Sequence, residues 1–89
     1  MTVQVEIFSS PGCSRCGHAQ DVVRKIANEI GAGLIAWREV NVLEEMAYAV
    51  QLGVLATPAI AINGRVVFTA IPTARKLREV LEMAFRGAT

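Results

Sequence analysis

Cys13 and Cys16 stand three positions apart in PGCSRCGHAQ and are the only cysteines of the chain. A cysteine reacts with a disulfide, or binds a metal, as its thiolate. The spacing therefore suits two chemistries. In one, a sulfur attacks a target disulfide and its neighbour resolves the mixed intermediate. In the other, the pair holds a soft metal ion or an iron–sulfur cluster, with His18, the only histidine, as a further ligand in C-x-x-C-x-H. A third possibility is two small buried residues in an inert turn. A stabilising cross-link is a poor explanation, because so small a closed loop removes little chain entropy.

Position distinguishes the two sulfurs. Cys13 falls where the first helix is expected to begin, so unpaired backbone N–H groups and the positive end of the helix dipole favour an anion there, and Arg15 adds a positive charge. Cys16 follows one turn along the same face. This assigns Cys13 as the attacking thiol and Cys16 as the resolving thiol. His18 lies only two positions beyond Cys16, which on a helix turns its ring away from both cysteines and toward solvent.

Several elements must position this pair. In VQVEIF, residues 3–8, Val3, Val5 and Ile7 alternate with Gln4 and Glu6, the period of a strand with one better-buried face. Ala19, Val22, Val23, Ile26, Ala27 and Ile30 then recur at helical spacing, predicting a helix from about Ser14 to Ile30 that stops at Gly31-Ala32-Gly33. Residues 34–42 read as a second strand. Asn41 and Glu44 have the spacing of a capping box, so a second helix is expected from near Val42 to Leu52, with Gly53 past its end. AIAI, residues 59–62, reads as a strand buried on both faces, joined through Asn63-Gly64 to RVVFT, residues 65–69. Thr73 is placed to cap a last helix carrying Leu77, Val80, Leu81 and Ala84 and ending at Gly87. Strands one and two, joined through a helix, should be parallel, and strands three and four antiparallel.

Composition limits the partners. Of 89 residues 53% are hydrophobic and 19% charged, as in a compact fold of one domain spanning residues 1–89. The net charge is +1 with basic residues spread along the chain, a poor match to nucleic acid or an anionic membrane. Arg75, Lys76 and Arg78, interleaved with Glu79 and Glu82, read as a solvated helix face, and Trp37 and Tyr48 as packing residues. No apolar run reaches the roughly 18–20 residues of a membrane span, and MTVQVEIFSS has no basic leader pattern, so a cytoplasmic location is expected.

The CxxC at the first helix, Thr57-Pro58 before a buried strand in ATPAIAING, the Asn-Gly hairpin and the terminal helix together resemble the thioredoxin superfamily. Within it, the chain resembles the small thioredoxins of roughly glutaredoxin size that lack the extra N-terminal strand and helix of ordinary thioredoxin. The resemblance covers nearly the whole chain, and its specificity lies in the order and spacing of short motifs. It implies an α/β, thioredoxin-like fold in the order β-α-β-α-β-β-α, a four-stranded mixed sheet flanked by three helices. It also implies a cis peptide before Pro58, facing the cysteines, and a substrate chain pairing with the backbone of Thr57 as a short β-addition. Ser14 and Arg15, between the cysteines, are expected to touch the same substrate.

The implied activity is thiol–disulfide exchange that reduces protein disulfides. A flavin-dependent reductase or another dithiol donor would regenerate the pair, in a monomer with no metal and no cofactor beyond the redox-active disulfide. Four positions depart from ordinary thioredoxins: Gly12 replaces Trp, Ser14-Arg15 replaces Gly-Pro, and Ile7 replaces a buried aspartate that assists the second thiol. Glutathione-using glutaredoxins carry a basic residue near the end of the first strand and Gly-Gly before the last helix. Here those regions read Ser9-Ser10 and Thr69-Ala70-Ile71-Pro72, so protein disulfides are expected ahead of glutathione. The alternatives are a glutathione-dependent enzyme and a non-catalytic metal or iron–sulfur carrier. Copper-carrying CxxC modules follow the order β-α-β-β-α-β, which this chain does not.

Overall fold

The alternation of Val3, Val5 and Ile7 becomes the central strand β1 (Val3–Ser9). The computed structural model describes residues 2–31 and 33–86. The remaining elements are α1 (Cys16–Ile30), β2 (Ile35–Asn41), α2 (Met46–Leu52), β3 (Ala59–Ile62), β4 (Arg65–Phe68) and α3 (Ala74–Phe85). They form one four-stranded sheet in the order β2-β1-β3-β4. β1 runs parallel to β2 and antiparallel to β3, and β3 runs antiparallel to β4. The order of elements and the mixed sheet are those read from the sequence. The expected helix end at Gly87, and Ala32 in the turn after α1, lie outside the described residues.

Strand periodicity of two sends alternate residues to opposite faces, and both faces are covered. On one, Val3, Val5, Ile7, Ile60 and Ile62 pack against Ala19, Val23 and Ile26 of α1 and Leu77 and Leu81 of α3. On the other, Phe8, Val40, Ala59 and Ala61 pack against Ala49 of α2. All four residues of β3 are buried, as expected of a strand with helices on both sides. Asn63 and Gly64 turn the hairpin with φ of 51° and 82°, values that an Asn-Gly pair adopts readily. The Asn63 side chain also accepts the Gln4 N–H, tying the hairpin to the start of β1.

Thr73 caps α3 as read, its hydroxyl accepting the Lys76 N–H at 3.1 Å. Thr73→Ala is expected to lower stability by about 1 kcal/mol, read as a lower urea midpoint with an unchanged m value. On its outer face Arg75 and Lys76 pair with Glu79, while Arg78 reaches Glu29 of α1.

Two expectations around α2 fail. The capping box does not form: Asn41 Oδ1 accepts the N–H of Leu43 at 2.9 Å, and its carbonyl accepts those of Glu44 and Glu45. A side chain bonded two residues on makes a turn instead of a helix cap. The helix therefore begins only at Met46.

Glu6, read as lying on the better-exposed face of β1, is only 9% exposed. Alternation in β1 shows that one face is buried but carries no information about a helix covering the other. The Glu6 carboxylate is satisfied there: it accepts from Tyr48 of α2 at 2.5 Å and from Arg38 of β2 at 2.8 and 3.1 Å. Arg38 also pairs with Glu45 just before α2. This network, with the Tyr48 ring 5.9 Å from Phe8, fastens the short α2 to the sheet.

The bond to Glu6, reinforced by burial and by the Glu6 charge, holds the Tyr48 phenol above its ordinary pKa. A group with a raised folded-state pKa contributes stability below its unfolded pKa and loses that contribution as pH rises through the folded one. Tyr48 is the only tyrosine. Its absorbance titration is therefore expected to have a higher midpoint in the folded protein than in urea; equal midpoints would contradict the network.

Candidate active site

β1 delivers the chain to its C-terminal end at Ser9, and the segment from Ser10 to Arg15 turns it into α1. The N–H of Cys13 closes this turn on the carbonyl of Ser10 at 3.2 Å. Gly12, just before Cys13, has φ of 80°, a conformation that side-chain-bearing residues rarely adopt. Cys13 thus stands at the tip of the turn. The helix starts at Cys16, two residues later than the apolar stripe suggested, so the two cysteines do not share one helical turn. The turn nonetheless places their Cα atoms 5.5 Å apart, and the sulfurs are bonded as a disulfide.

The two sulfurs have unequal surroundings. Cys13 is half-buried at the surface, whereas Cys16, the first residue of α1, is 4% exposed. The residue before the helix is Arg15, with no side-chain cap on the first N–H groups and no acidic residue in the first turn. Those N–H groups and the helix dipole favour negative charge beside Cys13. His18 is exposed, in keeping with its spacing. Among the described residues, no three His, Cys, Asp or Glu side chains gather as a set of metal ligands.

Thr57 and Pro58 come from the segment between α2 and β3, and the peptide joining them is cis. Pro58 is buried, and Thr57 is half-buried. Thr57 lies in a groove of about 320 Å³ together with Ser10, Pro11, Gly12, Cys13, Ser14 and Arg15. The structure thus gathers Cys13, Ser14, Arg15 and Thr57 around one surface, with Cys16 and Pro58 buried behind it. Two neighbouring recesses extend it. One, of about 210 Å³, is mostly apolar, lined by Val42, Val54, Leu55, Ala56, Ser10 and Thr57. The other, of about 350 Å³, carries Glu39, Glu44 and Glu45.

Sequence reasoning missed two residues here. Ser10 bonds Thr57 hydroxyl to hydroxyl at 2.8 Å. Glu39 accepts from Ser9 at 2.8 Å and from Gln20 of α1. The position six residues before Cys13 is Ile7 and carries no acid, but the parallel register sets Glu39 beside it on β2. Strand pairing alone reveals that neighbour.

A sequence profile of the thioredoxin domain matches residues 1–82. The chain belongs to the thioredoxin family. It is 38% identical over 80 residues to the thioredoxin of Methanocaldococcus jannaschii, covering 90% of this chain and 93% of that one. It is 36% identical over 81 residues to a probable thioredoxin of Methanothermobacter thermautotrophicus, covering 91% and 94% respectively. Among solved structures, a protein disulfide oxidoreductase from Aeropyrum pernix superposes with a TM-score of 0.84 at 26% identity, over 97% of this chain and 38% of that chain. As a thioredoxin-family member with its CxxC pair in place, the protein is a thiol–disulfide oxidoreductase. Its site carries Gly12 ahead of the pair, Ser14-Arg15 inside it, and the hydroxyl bond from Ser10 to Thr57.

Proposed function

We propose that the protein reduces disulfides of other proteins, with Cys13 as the attacking thiol and Cys16 as the resolving thiol. The observation that carries this reading is the asymmetry of the pair: Cys13 lies in the open groove with Thr57, whereas Cys16 is 4% exposed. The Cys13 thiolate attacks one sulfur of the target disulfide, forming a mixed disulfide and releasing the first target thiolate. Cys16 then loses its proton and attacks the Cys13 sulfur, closing the internal disulfide and releasing the second target thiolate. Each released thiolate takes up a proton. Two electrons have passed from the pair to the target, with no cofactor beyond the sulfurs.

The groove supports contact with a polypeptide. Thr57 presents backbone for a short β-addition, Pro58 shapes that segment, and Ser14 and Arg15 flank Cys13 on the other side. The apolar recess beside Thr57 suits an aliphatic or aromatic side chain near the target cysteine. A dithiol donor or a flavin-dependent reductase restores the dithiol. We assign the protein to the cytosol, where structural disulfides are scarce and exchange thiols are kept reduced, and we take it to act as a monomer. No helix among the described residues is long and apolar enough to cross a membrane.

The test is reduction of insulin by dithiothreitol, followed as turbidity. Catalytic amounts of the protein are expected to shorten the lag markedly. No acceleration, alongside efficient glutathione-coupled turnover of a small mixed disulfide, would overturn the protein-disulfide reading in favour of a glutathione-dependent enzyme.

A further inference from the structure

Ser10 makes two bonds that join the halves of the groove. Its carbonyl accepts the N–H of Cys13 at 3.2 Å, and its hydroxyl meets that of Thr57 at 2.8 Å, across 47 positions of sequence. One residue thus holds both the turn that carries Cys13 and the segment that presents Thr57. Each hydroxyl has a single O–H donor and two acceptor lone pairs. In a bond between two hydroxyls only one O–H is used, whichever side donates. The other O–H stays free to donate, and both hydroxyl-bearing residues line the groove that holds Cys13.

We propose that Ser10 is a positioning residue for the exchange reaction: it pins the Thr57 side chain so that the free O–H of the hydroxyl pair donates to the Cys13 thiolate when the cysteines are reduced. This rests on Cys13 being the attacking thiol. Without Ser10, either the free donor itself is gone or the Thr57 hydroxyl that carries it loses the partner that fixes its direction. Without Thr57, the Ser10 hydroxyl loses the partner that fixes it. The two side chains therefore act as one device, and either loss lowers the thiolate fraction near neutral pH.

The experiment measures iodoacetamide reaction at Cys13 in the reduced protein, at pH ~6 and pH ~10, on either side of the ordinary thiol pKa of about 8.5. The ratio of the two rates reports the thiolate fraction and cancels changes in access to the sulfur. Loss of a hydrogen bond to a charged group is expected to lower that ratio about ten- to thirtyfold in Ser10→Ala and in Thr57→Val. The double variant should fall no further than the more affected single, and Ser10→Thr should keep the parent ratio. An unchanged ratio in Ser10→Ala, multiplying effects in the double variant, or a loss in Ser10→Thr equal to that in Ser10→Ala would each overturn the proposal. Labelling of Cys16 instead of Cys13 in the parent protein would show that the assignment of the attacking thiol had failed, a separate result.

Discussion

Cys16→Ser is expected to stall the protein on its target as a covalent adduct. Cys13 still attacks, forming the mixed disulfide, but no second thiol is left to resolve it. Incubating the reduced variant with a disulfide-containing protein should yield a species of the summed masses under non-reducing conditions, and dithiothreitol should release it. Cys13→Ser should give no such species, because the remaining thiol is 4% exposed and out of the groove. Insulin reduction should fall in both variants by roughly 100-fold or more, since residues that act as a unit fail together. Adduct formation by Cys13→Ser and none by Cys16→Ser would reverse the two roles.

The second large effect concerns stability rather than chemistry. Glu6→Ala strands the Tyr48 hydroxyl and one face of Arg38 beside a buried strand. Arg38 is half exposed and keeps Glu45, so no buried charge is left alone and the cost is that of the lost bonds to a charged group, about 1.5–3 kcal/mol. Tyr48→Phe removes one bond to a charged group and should cost about 1.5–2 kcal/mol. Both figures are large beside the ~5–15 kcal/mol that typically holds a domain folded. The double variant should lose less than the sum, because both substitutions break one network. Urea unfolding measures all three. Insulin reduction per folded molecule should be unchanged, since neither residue lines the Cys13 groove. A Glu6→Ala protein as stable as the parent would mean that hydrophobic contacts alone hold α2 in place.

Glu6 and Asn41 show where a sequence stops being readable. The apolar stripe of α1, the wholly apolar AIAI and the Asn-Gly turn each encode their structure within a few neighbouring positions, and all three take that structure. Glu6 could not be placed the same way, because its burial depends on α2, whose sequence begins forty positions later. Asn41 misled for a different reason: its side chain chose between two local bonds, and the bond to Leu43 prevailed.

The site divides similarly. Cys13 and Cys16 were legible because their chemistry lies in their spacing, and Thr57-Pro58 through the family pattern. Ser10 and Glu39 carry no motif. Their meaning comes from partners across the sheet and the groove: Thr57 for one, Ser9 and Gln20 for the other. A serine after a strand is common, and only the fold shows which hydroxyl it meets.

The central claim is that Cys13 is the nucleophile of this oxidoreductase, and a brief alkylation pulse tests it most directly. The fully reduced protein is exposed to iodoacetamide at mildly acidic pH for a short time, quenched, and mapped by peptide mass spectrometry. The structure leads us to expect label on Cys13, with Cys16 modified only after unfolding. Label appearing first on Cys16 would contradict the account.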